Sequence, residues 1–275
     1  MSASIDWSYC LLTQFEQTIL RRTAIFAGEF TLRAAAMVTA DAVHQESHVF
    51  ETISALIEKS LISADLSEFE LRLHLFGATR EYLLAKLIAS GEADMLARRH
   101  AEYYLALLES AHSNRGSECC STALKNEIGN IRAALAWAFG ACGDELIGVA
   151  LAVASAPLWL GMPHLSECRR WASRALASLE TIAYEPHQES VLQAALGLSL
   201  LFMNGVGQEA DVALKRAGAL AQALNDDEYL HSVGRGHART RSIGLGEQCG
   251  ACNGAAPAED EVGVASLVPY GGGAK

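Results

Sequence analysis

Basic residues are scarce in this chain of 275: 21 Lys and Arg stand against 32 Asp and Glu, for a formal charge of −11. The deficit holds along the folded-looking sequence, with 9 basic and 15 acidic residues in 1–110 and 8 and 13 in 111–230; only 231–275 is balanced, at 4 and 4. Phosphate neutralisation by Lys and Arg supplies much of the affinity for duplex DNA, so the balance argues against a broad nucleic-acid surface. Long apolar runs are missing too. The longest, Leu146 to Leu160, contains Pro157 and falls short of the roughly 20 residues that span a bilayer; it reads as a buried helix, and no membrane partner is expected. Met1 to Ser8 lacks the basic and apolar regions of a secretory signal. With no export signal, the seven cysteines read as reduced thiols and the expected compartment is the cytoplasm. No Ser/His/Asp, Cys/His or paired-carboxylate arrangement stands out, so the chain reads as a non-enzyme with no cofactor.

What is present is core material and helix punctuation. Apolar residues make up 51% of the chain, enough for two ordinary domains. Thr13-Gln14-Phe15-Glu16 is a capping box. Behind it Phe15, Ile19, Leu20, Phe26 and Ala27 share one side of a helical wheel, with Gln17, Thr18, Arg21 and Arg22 on the other. Gly28 is the expected stop. Thr31 can cap a second helix through Val38, and a third is expected from about His48 to Lys59, with Val49, Ile53, Leu56 and Ile57 inward.

The period then changes. Phe69, Leu71, Leu73 and Leu75 alternate with Glu70, Arg72 and His74, which predicts a half-buried strand. Leu61 to Ala64 is its expected partner, across a turn at Asp65 to Glu68. Three helices and a hairpin in this order form a winged helix-turn-helix with a small β-hairpin wing. Two trailing helices, Thr79–Ala89 and Ala93–Ser110, break at Ser90-Gly91.

A polar stretch at 111–120 marks a domain boundary. Beyond it helical patterns recur at 122–140, 145–160, 165–182, 187–203 and 207–225, with short breaks carrying Gly143, Gly161, Pro163, Pro186, Gly205 and Gly207. Ala-rich antiparallel helices at this spacing resemble an α-solenoid of tetratricopeptide type, although the repeat consensus itself is absent. After Tyr229 the apolar periodicity stops and Gly accumulates, so disorder is expected. The fold class is therefore mainly α: a winged-helix domain at 1–112, tetratricopeptide-like repeats at 121–229, and a disordered Gly-rich tail at 230–275.

A family resemblance rests on many short matches. Asp6-Trp7-Ser8-Tyr9, Leu20-Arg21-Arg22, Ala27-Gly28, Phe30-Thr31-Leu32 and Leu56-Ile57-Glu58-Lys59-Ser60-Leu61 resemble the winged-helix region of large bacterial signal-transduction ATPases that act as transcriptional regulators. Arg80-Glu81-Tyr82, Ser90-Gly91-Glu92, Arg98-Arg99-His100-Ala101-Glu102-Tyr103-Tyr104, Asn130-Ile131-Arg132-Ala133-Ala134-Leu135-Ala136-Trp137, Gly161 and Arg169-Arg170-Trp171 continue it, so that it covers roughly 5–229. The resemblance implies an upstream nucleotide-binding module, a winged helix packed on it, and downstream repeats that sense a ligand or partner. This chain lacks a G-x-x-x-x-G-K-[ST] phosphate cradle. It carries Phe76-Gly77-Ala78-Thr79 where the family has Leu-Glu-Thr-Ile, and the match stops near Tyr229. It reads as a fragment or truncated paralogue, its tail as out-of-frame translation. The resemblance implies a regulatory protein-interaction module, whose partner is a separate or missing ATPase module.

Candidate contacts follow. A winged helix reads DNA with its third helix, which here offers His48, Glu51, Thr52, Ser54, Glu58 and Lys59, with Gln45 just before it. Gln45, His48, Thr52, Lys59 and Arg72 are the candidate DNA or partner contacts, and the acidic balance favours protein over DNA. Trp159, Arg169, Arg170 and Trp171 are the candidate contacts of a repeat groove, although their helical spacing also suits core packing. Arg98-Arg99-His100 reads as a solvated helix face opposite Leu96, Tyr103 and Leu107. Cys249 and Cys252 have metal-site spacing but no second ligand pair, with His231 and His237 the closest histidines. Neither they nor Cys119-Cys120 make a convincing site, and no metal is expected.

Overall fold

A computed structural model describes residues 2–41, 45–66, 70–113, 124–161, 164–205 and 207–224. The expectations placed on Phe69, the turn beyond Leu66, Cys119-Cys120, Cys249, Cys252 and the Gly-rich tail lie outside the described residues. The fold is mainly α with one small antiparallel sheet. By contact the chain divides between Leu151 and Ala152.

The first unit contains α1 (Ser2–Cys10), α2 (Gln14–Thr23), β1 (Phe30–Thr31), α3 (Leu32–Thr39), α4 (Glu46–Glu58), β2 (Ser63–Leu66), β3 (Leu71–His74), α5 (Gly77–Ala89), α6 (Ala93–Ser113) and α7 (Ile128–Ala138). Both halves of the capping box form at α2. Glu16 N donates to Thr13 Oγ1 at 3.2 Å, and Thr13 N donates to Glu16 Oε2 at 3.0 Å. The helix stops at Thr23, not at the expected Gly28. The N–H groups of Ala24, Ile25 and Phe26 each donate three residues back, to Arg21, Arg22 and Thr23, which tightens the turn and ends the α-helical pattern. Thr31 caps α3 as expected, accepting from Ala34 N at 3.0 Å. Ser60, in the left-handed region at φ 59°, turns the chain out of α4. Its N–H donates to Ile57 O, while Leu61 N donates to Leu56 O.

The sheet adds a strand that alternation did not signal. Its order is β1-β3-β2, with Phe30 opposite Leu73 and Leu73 opposite Ala64. At two residues β1 is too short to show a period, and it pairs with a strand on the far side of two helices. β2 extends to Leu66, so Asp65 and Leu66, expected in the turn, pair with Arg72 and Leu71. The core sits where the helices meet the sheet: Ile19, Leu20, Phe26, Phe30, Val38, Ile53, Leu56, Leu73, Leu83 and Leu87 are essentially fully buried. Each such side chain contributes roughly 1.5–3 kcal/mol of burial free energy.

Helix α8 (Glu145–Leu160) crosses the contact division and holds Pro157 internally. The second unit continues with α9 (Leu165–Ser178), α10 (Pro186–Asn204) and α11 (Gln208–Leu224). Pro186 at the first turn of α10 gives up no helical hydrogen bond, and Glu185 with Gln188 forms a capping box there. Small residues bring α10 and α11 close: a Cβ added at Gly197 would lie 2.6 Å from Leu214 Cγ. Ser190 Oγ donates to Ala217 O at 3.3 Å. Between α9 and α10, Cys168 is buried with Sγ 3.7 Å from Ala195 O. Burial pushes its thiol up to about 12, so Cys168 is an inert packing residue.

Candidate functional site

The outer face of α4 is acid-rich. Gln45, Glu46, Ser47, His48, Glu51, Ser54, Glu58 and Lys59 are exposed. The one Lys of this face is engaged by a neighbour, because Lys59 Nζ lies 2.6 Å from Glu16 Oε1. That hydrogen bond is the first cause holding Glu16 below the usual carboxylate range. Thr52 is buried, and its hydroxyl donates to His48 O at 2.7 Å. The His48 ring meets Phe15 edge-on, and Gln45 caps α4 without a side-chain hydrogen bond. In the hairpin His74 Nδ1 lies 3.3 Å from Asp65 Oδ2. Of the five candidate contacts on this unit, Gln45, His48 and Lys59 share an exposed surface; Thr52 and Arg72 do not.

Arg72 points inward, where alternation placed it with the solvent-facing residues. Its guanidinium is 3% exposed, and Nη1 donates to Glu127 Oε1 at 2.6 Å. Glu127 also accepts from Tyr104 Oη at 2.8 Å and from Asn130 Nδ2 at 3.2 Å. Asn130 then ties down the loop before β1, donating to Glu29 O at 2.7 Å and accepting from Ala27 N at 2.9 Å. Burial works to lower the Arg72 pKa, but Glu127, with Glu70 and Glu29, outweighs it and the net shift is upward. His100 lies within this joint, its ring 4.7 Å from Tyr104 and 5.4 Å from Phe26. Burial is the main cause that lowers its pKa to about 4, so it is neutral at pH 7. The expected solvated face at 98–100 is therefore corrected at His100, which α6 turns into the core.

A second polar joint holds the helices together. Arg22, expected on the polar side of α2, is buried. Its Nη2 reaches Glu92 Oε1 at 2.5 Å and Asp41 Oδ2 at 2.8 Å, and Nη1 donates to Thr39 O. Arg21 grips the other oxygen of Glu92 at 2.8 Å. Burial acts to raise the Glu92 pKa, but Arg22 and Arg21 override it and hold Glu92 low. Arg80 Nε donates to Phe26 O at 2.5 Å. It lines an open cleft of about 270 Å³ with Ala27, Gly28, Glu29, His74 and Leu75.

In the second unit a groove of about 420 Å³ runs over α10 between α9 and α11. Gln193, Leu196 and Leu200 form its floor; Arg169 and Ser173 stand on one wall, Gln208, Glu209, Val212 and Ala213 on the other. Of the four candidate groove residues only Arg169 lines it. Trp159 and Trp171 are buried; Trp159 Nε1 donates to Ser155 Oγ at 2.9 Å, and the Arg170 guanidinium sits 4.4 Å above the Trp171 ring. The floor was readable as an i, i+3, i+7 stripe on one helix face; its walls come from helices whose pairing periodicity does not encode. Among the described residues, no three His, Cys, Asp or Glu are placed to hold a metal ion, and no helix is long and apolar enough to cross a membrane.

Proteins of Mycobacterium tuberculosis and Mycobacterium bovis, each named "Putative HTH-type transcriptional regulator", are 38% identical to this chain over 178 residues. The match covers 64% of this chain but 20% of each relative, so the chain spans about a fifth of their length. A Mycobacterium tuberculosis protein named as uncharacterized is 31% identical over 106 residues, covering 38% of this chain and 26% of its own. No family model and no solved structure matches.

Proposed function

We propose that this chain is a non-catalytic, cytoplasmic regulatory module that works through protein contacts: a winged helix followed by tetratricopeptide-like repeats, resembling the C-terminal part of an ATPase-type transcriptional regulator. The observation that carries it is the outer face of α4, where Glu46, Glu51 and Glu58 are exposed and Lys59 is engaged by Glu16. Such a face repels a phosphate backbone. The order of α2, α3, α4 and an antiparallel hairpin supports the winged-helix part, and the names of the mycobacterial relatives support the regulatory role. In this reading residues 1–112 and 121–229 are the two functional parts. The expected partner is a nucleotide-binding ATPase module. Exposed Trp7 on α1 and Leu11 just past its end, whose N–H donates to Trp7 O, offer it an apolar contact.

The second reading is a stand-alone DNA-binding transcription factor, which the relatives' printed name favours. A mobility-shift titration with duplex DNA across salt concentrations separates the two. The protein-contact reading expects no shift that strengthens as salt falls. A specific shift that weakens steeply with added salt overturns it.

A further inference from the structure

The groove over α10 has the features of a seat for one kind of partner segment. Its floor carries the half-buried Leu196 above the buried Leu200, and Val212 on the α11 wall leaves 60% of its surface in water. Small or short side chains, Ser173 and Ala213, flank this floor, so a partner backbone can approach closely. The rim carries one cation and one anion on opposite walls, Arg169 and Glu209. Neither makes an ion pair or hydrogen bond among the described residues, in contrast to Arg216, held by Glu189 at 2.8 Å, and Lys215, held by Asp211. Both charges that face the groove are therefore free of an ion pair among the described residues.

We propose that the groove lined by Leu196, Leu200 and Val212 docks an amphipathic helix of a protein partner, its apolar stripe on the floor, an acidic flank toward Arg169 and a basic flank toward Glu209. This rests on the protein-contact reading above and names the partner's chemistry. A ridge of side chains from a partner helix packs into a groove of this kind in the way helices pack within domains. Opposite charges on the two walls select a helix with mixed flanks over one with a single sign.

Fluorescence anisotropy on the full chain tests this with three labelled synthetic helical peptides sharing one leucine stripe: flanks of Glu and Lys, of Glu alone, and of Lys alone. The mixed peptide is expected to bind tightest, by about two- to fivefold for each exposed ion pair gained. Val212→Glu, at a largely exposed position, is expected to weaken it by about tenfold or more by placing a carboxylate against the leucines. Arg169→Glu is expected to make the Lys-only peptide the best ligand. A central proline in the mixed peptide is expected to abolish binding by breaking its helix. No binding of the mixed peptide, or binding indifferent to Val212→Glu and Arg169→Glu, overturns the docking site; equal binding of the proline peptide overturns the helical partner. The DNA titration does not involve this groove, so each idea fails on its own result.

Discussion

The two units are held together by different physics. In the first, buried charge joins the elements: Arg72 with Glu127, and Arg22 with Glu92 and Asp41. In the second, one ion pair at the surface, Arg216 with Glu189, joins α10 to α11, but their close approach depends on what is absent, the side chain at Gly197, and on alanines such as Ala194 and Ala217. Buried ion pairs demand specific partners, because an unpaired charge inside a protein is expensive. Close helix contact demands only smallness. The first unit should therefore fail abruptly when one partner is removed, and the second gradually as volume is added.

The largest test is Glu127→Ala. It removes the nearest and most buried carboxylate from the Arg72 guanidinium, leaving the half-exposed Glu29 and Glu70 at 3.6 and 3.5 Å, and removes the acceptor of Tyr104, so urea unfolding of the first unit should lose about 3 kcal/mol. A loss below 1 kcal/mol would deny the joint its role. The next is pH dependence. His100, near 4 folded and about 6.5 unfolded, binds its proton more tightly in the unfolded chain. Its contribution to stability is present above pH 6.5 and is lost as pH falls from 6.5 to 4, on the order of 3 kcal/mol in all. His100→Phe should flatten that part of the stability–pH curve; an unchanged curve would place the His100 titration elsewhere. Smaller again is Gly197→Val, which drives a branched side chain into Leu214 and should cost about 1–3 kcal/mol in the second unit. The smallest is Thr13→Ala. Losing the cap of α2 should cost about 1 kcal/mol by thermal unfolding, with the fold otherwise intact.

How much of this was legible from residues alone follows the same divide. Thr13 and Thr31 announced their helices because a cap is a local hydrogen bond, and Leu71 and Leu73 announced a strand because a period of two is local. The helices after Pro186 were visible from breaker residues flanking Ala-rich runs. Arg22, Arg72 and His100 were misplaced because one-dimensional periodicity sends charged side chains to solvent. Glu92 and Glu127 lie 70 and 55 residues along the chain from Arg22 and Arg72, and His100 packs on the distant Phe26, so these contacts exist only after folding. The resemblance motifs do point to the joints: Arg22, Glu92, His100, Tyr104 and Asn130 all fall within them. The groove behaves likewise. Its floor stripe is readable on α10, but Arg169 and Glu209 face it only because α9 and α11 pack on either side.

The most direct test of the central claim changes the charge of one helix face. Anisotropy of a labelled duplex should be followed against salt for the native chain and for the triple variant Glu46→Lys, Glu51→Lys, Glu58→Lys. The native chain is expected to give no binding that strengthens as salt falls, whereas the variant should acquire salt-sensitive binding. Steep salt-dependent binding by the native chain, unimproved by the three lysines, would contradict a protein-facing α4.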